Sequence, residues 1–194
     1  YNGGLQWSTI LRLPEFQNEF GMGWNGDHTE LENGSWGPRF DGSMQLWGNK
    51  YENSQKLKPY SPIKNNIKDF FDAGFRYNNS VSFNGATDKS EYYVSFSQIS
   101  DDGMIPTDAD SYDKYTFSAR GSHKVKALTF SSSLNYSYQK NKFATTGQGL
   151  TMLNSLYQTP RDVSNISLQD QNDIFNSPGY FYTPYGVMNP YYIL

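Results

Sequence analysis

Hydrophobic and polar residues alternate with a period of two along several stretches of this chain. Between Phe75 and Gly85, the odd positions hold Phe75, Tyr77, Val81 and Phe83, with Arg76, Asn78, Ser80, Ser82 and Asn84 between them. Tyr92, Val94 and Phe96 alternate with Ser95 and Ser97, and Tyr115, Phe117 and Ala119 with Thr116, Ser118 and Arg120. The longest run sets Leu128, Phe130, Leu134, Tyr136 and Tyr138 against Thr129, Ser131, Ser133, Asn135 and Ser137. A weaker first segment sets Tyr1, Leu5 and Trp7 against Asn2, Gln6 and Ser8. Successive Cβ atoms of a strand point to opposite faces, so this pattern predicts strands with one apolar and one wet face.

The connections have an order of their own. Ala86–Ser90 and Ser122–Lys126 are tight links, whereas Pro14 to Gly74, Asp101 to Asp113 and everything after Phe143 are long. Antiparallel pairing would sort the long connections to one end of the sheet and the short ones to the other. Outer-membrane β-barrels are threaded in this way. Such barrels begin at about eight strands, so the five predicted here form part of a larger wall. An open edge in lipid would leave backbone groups unpaired at several kcal/mol each, to order of magnitude. The competing reading is a soluble or surface-attached β-sandwich, a carbohydrate-binding module whose core is the apolar face. Two features weigh against it. No charge falls between Tyr92 and Ile99 or between Leu128 and Tyr138, and Tyr77, Tyr92, Tyr115, Tyr136 and Tyr138 suggest an aromatic girdle.

Composition narrows the function further. Lys+Arg 16 against Asp+Glu 19 gives a net charge of -3, which argues against a nucleic-acid partner. With no cysteine, disulfide frameworks and thiolate chemistry are excluded. Aromatic residues reach 17% while charged ones stop at 18%, so the polar share falls largely on Ser, Asn, Thr, Gln and Gly, as suits a water-filled lumen. No apolar run approaches the roughly 18 residues of a spanning helix, a test that misses strands.

In the long connections, Ser61 and Pro62 read as N-cap and first residue of an amphipathic helix carrying Ile63, Ile67, Phe70 and Phe71, with Gly74 past its end. Leu150, Met152, Leu153, Leu156 and Tyr157 make a second, stopped by Thr159-Pro160. Gly21-Met22-Gly23-Trp24-Asn25-Gly26 fits G-x-G-x-x-G, but no helical stripe follows it, so a compact glycine loop is expected. Asp101, Asp102, Asp108, Asp110 and Asp113 lack calcium-loop spacing and read as a solvated acidic loop. His28 and His123 stand apart, and no nucleophile–base or paired-carboxylate pattern emerges. The expectation is a protein that is not an enzyme and takes no metal or cofactor.

An ordered set of strings carries a family likeness: Gln17-Asn18-Glu19-Phe20-Gly21, Glu32 through Gly42 (with Ser35-Trp36-Gly37-Pro38-Arg39-Phe40-Asp41), Asn65 through Phe71, Tyr77 through Phe83, Asp102-Gly103-Met104-Ile105-Pro106, Pro160-Arg161-Asp162-Val163 and Asn189-Pro190-Tyr191. Together they resemble the early barrel region of SusC/RagA-family TonB-dependent outer-membrane transporters. The resemblance implies an all-β, antiparallel transmembrane barrel of about 22 strands, with long extracellular loops containing short helices. Residues 1–194 would be a partial barrel domain, the plug domain and remaining strands lying outside this chain. It further implies import of nutrients across the bacterial outer membrane, with an oligosaccharide or a peptide as substrate and oligosaccharides the more frequent cargo. TonB would drive this through the plug, and a SusD-like surface lipoprotein would be the partner. On that reading Phe83, Val94, Phe96, Phe130 and Leu134 face lipid, and Ser80, Ser82, Ser131, Ser133 and Asn135 face the lumen. Trp36, Arg39 and Asp41 offer a stacking plane, a donor fork and an acceptor for substrate, and Arg161 and Asp162 join them as candidates.

Overall fold

A computed structural model describes residues 1–181 and 187–194. Its strands are β1 (Asn2–Ser8), β2 (Met44–Tyr51), β3 (Ser54–Pro59), β4 (Gly74–Ala86), β5 (Ser90–Asp101), β6 (Tyr112–Val125) and β7 (Leu128–Asn141). Two short helices follow, α1 (Met152–Gln158) and α2 (Pro190–Ile193). The chain divides into two compact units, one of Tyr1–Thr9 with Asp72–Phe143 and one of Ile10–Phe71 with Ala144–Leu194.

The first unit is a single antiparallel sheet in the order β1-β4-β5-β6-β7. All five alternating segments are strands, and the sheet is open among the described residues, with β1 and β7 at its edges. Ser8 pairs with Gly74, Asp101 with Tyr112, and Tyr112 with Asn141, so every long connection leaves from one end. At the other end Ala86 pairs with Glu91 and Val125 with Leu128, leaving turns of Thr87–Lys89 and Lys126-Ala127. The second turn is tighter than the Ser122–Lys126 link expected, because β6 and β7 stay paired up to Val125 and Leu128. Thr87 secures the first turn: its Oγ1 accepts from the Ser90 amide at 3.0 Å.

Register places the apolar residues in rows on one face. Val81, Phe96, Phe117 and Tyr136 form one row, and Phe83, Val94, Ala119 and Leu134 the next. Tyr136 therefore sits mid-strand and not in a girdle, which corrects the expectation for that residue. Tyr77, Tyr115 and Tyr138 do gather toward the long-connection end, where Gln98 Nε2 reaches the Tyr77 and Tyr115 hydroxyls at 3.3 and 3.4 Å. Toward the turns, Tyr92 lays its ring over Gly85, where a Cβ would meet the ring at 2.5 Å. Gly85 thus leaves room for the aromatic cover.

The second unit builds its core from Met22, Trp47, Val163, Leu168 and Phe181, with Tyr191 packed against it. It contains the β2–β3 hairpin, which the alternation does not announce. Here the usual polarity is inverted: Leu46 and Leu57 are exposed while Lys58 is buried. Lys56 and Lys58 share a face and each meets a carboxylate, Asp173 at 2.7 Å and Asp162. The helix expected from Ser61 to Phe71 is absent; only Lys68–Phe70 makes a 3-10 turn. Its backbone is committed sideways instead. Ile63 N donates to Arg161 O at 2.9 Å, Ile63 O accepts from Arg161 Nη2, and Asn66 O accepts from Asn165 Nδ2 at 3.4 Å, while the Asn66 side chain donates to Val163 O at 2.6 Å. Helix α1 forms where expected, capped by Thr151, whose side chain accepts from Asn154 N at 3.3 Å.

Candidate functional site

The sheet separates the residues expected to face lipid from those expected to face the lumen. Phe83, Val94, Phe96, Phe130 and Leu134 share one face, and Ser80, Ser82, Ser131, Ser133 and Asn135 share the other. Phe83, Phe96 and Phe130 are 65%, 45% and 63% exposed. Their unit contains no second sheet to cover them among the described residues, so they do not form the dry interior that a sandwich requires. From Leu128 to Tyr138 the apolar band of β7 spans eleven residues, ten steps along the strand. That is about 33 Å along the strand.

In the second unit a groove of about 430 Å³ runs between the glycine loop and α1, lined in part by Phe16, Phe20, Trp24, Trp36, Tyr157 and Gln158. Trp24 and Trp36 are 55% and 69% exposed and also share an adjoining cleft with Asn25 and Gly26. Backbone pairing holds the main chain at both tryptophans: Trp36 N donates to Gly23 O at 3.1 Å, Gly26 N to Trp36 O at 2.8 Å, and Trp24 N to Asp27 O at 3.0 Å. Gly23, at φ 143°, adopts a backbone that side chains rarely allow, and its Cβ would run into the Asp27 carbonyl. G-x-G-x-x-G is thus a compact loop presenting Trp24, with no helix after it. The sequence carries one signal for Trp24, its place between glycines.

The other substrate candidates are placed as follows. Arg39 is exposed, paired with Glu19 at 2.8 Å and stacked 5.0 Å over Phe20, outside the groove lining. Asp41 turns back on its own loop, accepting from Ser43 Oγ at 2.7 Å and Ser43 N at 2.9 Å, which holds its carboxyl below the usual range. Arg161 touches the groove but is only 6% exposed. Its Nε donates to Gln17 O at 3.0 Å and its Nη2 to Asn18 Oδ1 at 2.8 Å, while Phe16 lies 5.4 Å beneath the guanidinium. Asp162 is buried; it accepts from Met22 N at 2.9 Å and from Lys58 Nζ. Arg161 and Asp162 therefore tie the loops together and present no free fork or acceptor to a ligand.

Burial sets the electrostatics here. It pushes the Lys58 ammonium down, against the nearby Asp162 charge that favours protonation. The Tyr60 phenol rises to about 12, first by burial and then by the Asp162 charge. Tyr60 Oη lies 3.0 Å from Pro38 O and 3.3 Å from Met22 O. In the first unit the acidic loop is solvated as expected, with Asp102 and Asp108 exposed and Asp101, Asp110 and Asp113 half-buried, and its carboxylates also bond within the unit. Asp102 accepts from Phe75 N at 2.5 Å, Asp110 from Met104 N and Ile105 N at 3.0 and 2.8 Å, and Asp113 from Ser100 Oγ at 2.6 Å. Among the described residues no cluster of acidic and histidine side chains is arranged to hold a metal ion.

No protein-family model matches this chain, and no curated protein does.

Proposed function

We propose that this chain is a stretch of wall and loop from a transmembrane β-barrel importer of the bacterial outer membrane, of the SusC/RagA kind. One observation carries the reading: a single twelve- to fourteen-residue-stranded sheet (β4 to β7) has a tyrosine-edged apolar face left uncovered. A soluble sheet would bury that face, at about 25 cal/mol per Å² of apolar area. A bilayer supplies the same burial. Long connections at one end and turns of two or three residues at the other support it, as does the near absence of charge from the apolar rows. The free edges of β1 and β7 would pair with further strands of a closed ring, as the bilayer demands.

The groove at Trp24 and Trp36 supports oligosaccharide over peptide as cargo. Indole faces stack on sugar rings, while the charged lining groups are already occupied: Arg161 by Gln17 and Asn18, Glu32 by the amides of Asn33 and Gly34. In this reading a SusD-like lipoprotein caps the loops and TonB acts through a plug domain outside these residues. The test is gel migration of the full-length protein extracted in detergent, with and without boiling. A heat-modifiable band supports the barrel; a protein that stays monomeric in plain buffer and migrates identically either way overturns it.

A further inference from the structure

The polar face of the sheet carries an uneven charge. Its ionic side chains are Arg76, Lys114, Arg120 and Lys124 against Glu91 and Asp101, although the chain as a whole has a net charge of -3. Arg76 lies 4.0 Å from Asp101, near the long-connection end. Arg120 has Glu91 one pair away on the same face, and the two line a wider adjoining cleft with Tyr93 without forming an ion pair. Register sets it opposite Tyr93 on β5 and Ser133 on β7, with Ser118 and Ser122 flanking it on its own face. Its Cζ sits 4.6 Å from the centroid of the Tyr93 ring. Among the described residues it makes no ion pair.

Stacking on an aromatic face holds the plane of a guanidinium while leaving its edge donors free. Those donors form a rigid fork matched to two acceptor oxygens in a plane. Ser95, Ser118, Ser133 and Asn135 complete a cleft of about 300 Å³ around Tyr93 and Arg120. The cleft offers hydroxyls, one amide and a single cation. A neutral ligand would leave the fork unanswered. A phosphate dianion would call for a second cation, and the next on this face of β6, Lys124, is about 13 Å along the strand. The chemistry that fits is a monoanionic carboxylate carried on a hydroxylated or amide-bearing body.

We propose that Arg120, propped on Tyr93, is a carboxylate-binding station on the polar face. The inference rests on that face being the wet side of a barrel wall. Two sources could supply the carboxylate: a uronic-acid ring moving along the wall, or an Asp or Glu side chain of polypeptide packed inside the barrel.

The experiment titrates full-length protein in detergent with digalacturonic acid and with maltose as the neutral control, for wild type, Arg120→Gln and Arg120→Lys. A sugar carboxylate predicts uronate binding that Arg120→Gln weakens by about tenfold or more, that Arg120→Lys partly keeps and that maltose does not reproduce. A protein carboxylate predicts no uronate response, but a melting temperature lowered in Arg120→Gln at low salt and restored to parity at high salt. Arg120→Gln indistinguishable from wild type in both binding and melting overturns the station. Heat-modifiable migration of the same samples keeps the two readings apart: if it persists while Arg120→Gln changes nothing, only the station fails. If migration never shifts, the barrel itself fails.

Discussion

Replacing Asp162 with alanine removes the acceptor at the centre of the second unit. Its carboxylate is fully buried, and it pairs with a Lys58 ammonium that is itself nearly so. Breaking a buried ion pair from one side costs about 3–5 kcal/mol, chiefly because the surviving charge stays desolvated. The Met22 amide also loses its acceptor, which adds about 1–3 kcal/mol if nothing replaces it. One term opposes these. Burial already draws Lys58 downward, so it can release its proton and escape as a neutral amine, at about 1.4 kcal/mol per pKa unit. We therefore expect a net loss of about 3–5 kcal/mol in the free energy of opening this unit, not the full sum.

Hydrogen–deuterium exchange on the full-length protein reads that loss directly. Peptides covering residues 20–24, 56–60 and 160–164 should exchange about 100- to 3,000-fold faster in Asp162→Ala, by the tenfold-per-1.4-kcal/mol rule. Peptides of β5 and β6 should not change. The double variant Lys58→Met/Asp162→Leu should recover most of the protection, because an apolar pair of similar bulk leaves no stranded charge. An Asp162→Ala effect below tenfold would refute the reasoning, and so would a double variant as unprotected as the single.

Other predictions follow from the same geometry. Because the Tyr60 phenol is raised to about 12 from 10.0, the folded protein holds its proton longer than the unfolded one. That contribution to stability is intact below pH 10 and is lost as pH rises through 12, so alkaline melts should fall more steeply for wild type than for Tyr60→Phe; parallel curves would refute it. Phe130→Arg should impair membrane assembly by about 2–4 kcal/mol if it lies near the bilayer midplane, whereas Ser131→Arg, on the opposite face, should insert almost normally. Equal insertion of the two would contradict the facing. Trp36→Ala should weaken binding of a neutral oligosaccharide to the full-length protein by about tenfold, and leave melting almost unchanged because the ring is 69% exposed. A large drop in melting with unchanged binding would make Trp36 a scaffold residue.

Much of the first unit was legible because each strand carries an apolar and a polar face, and period-two alternation records that directly. The five segments and the sorting of their connections follow from this. The second unit was less legible because it is held by ion pairs and side-chain amides rather than by an apolar stripe. Lys56 and Lys58 are of a residue type that ordinarily faces solvent, and their carboxylates come from residues more than a hundred positions away. Ser61 to Phe71 has the caps and spacing of a helix, but Arg161 and Asn165 draw its backbone into tertiary bonds. The substrate candidates fared unevenly for the same reason. A buried clamp such as Arg161 and an open ring such as Trp36 look alike until partners are known.

The central claim concerns where two sets of side chains point. This chain has no cysteine, so single cysteines placed along β7 can carry an environment-sensitive fluorophore, read in bilayers containing brominated lipid. Quenching should be strong at positions 130, 134 and 136 and weak at 131, 133 and 135, alternating residue by residue. Uniform quenching at all six positions, or none at any of them, would contradict a wall with lipid on one side and water on the other.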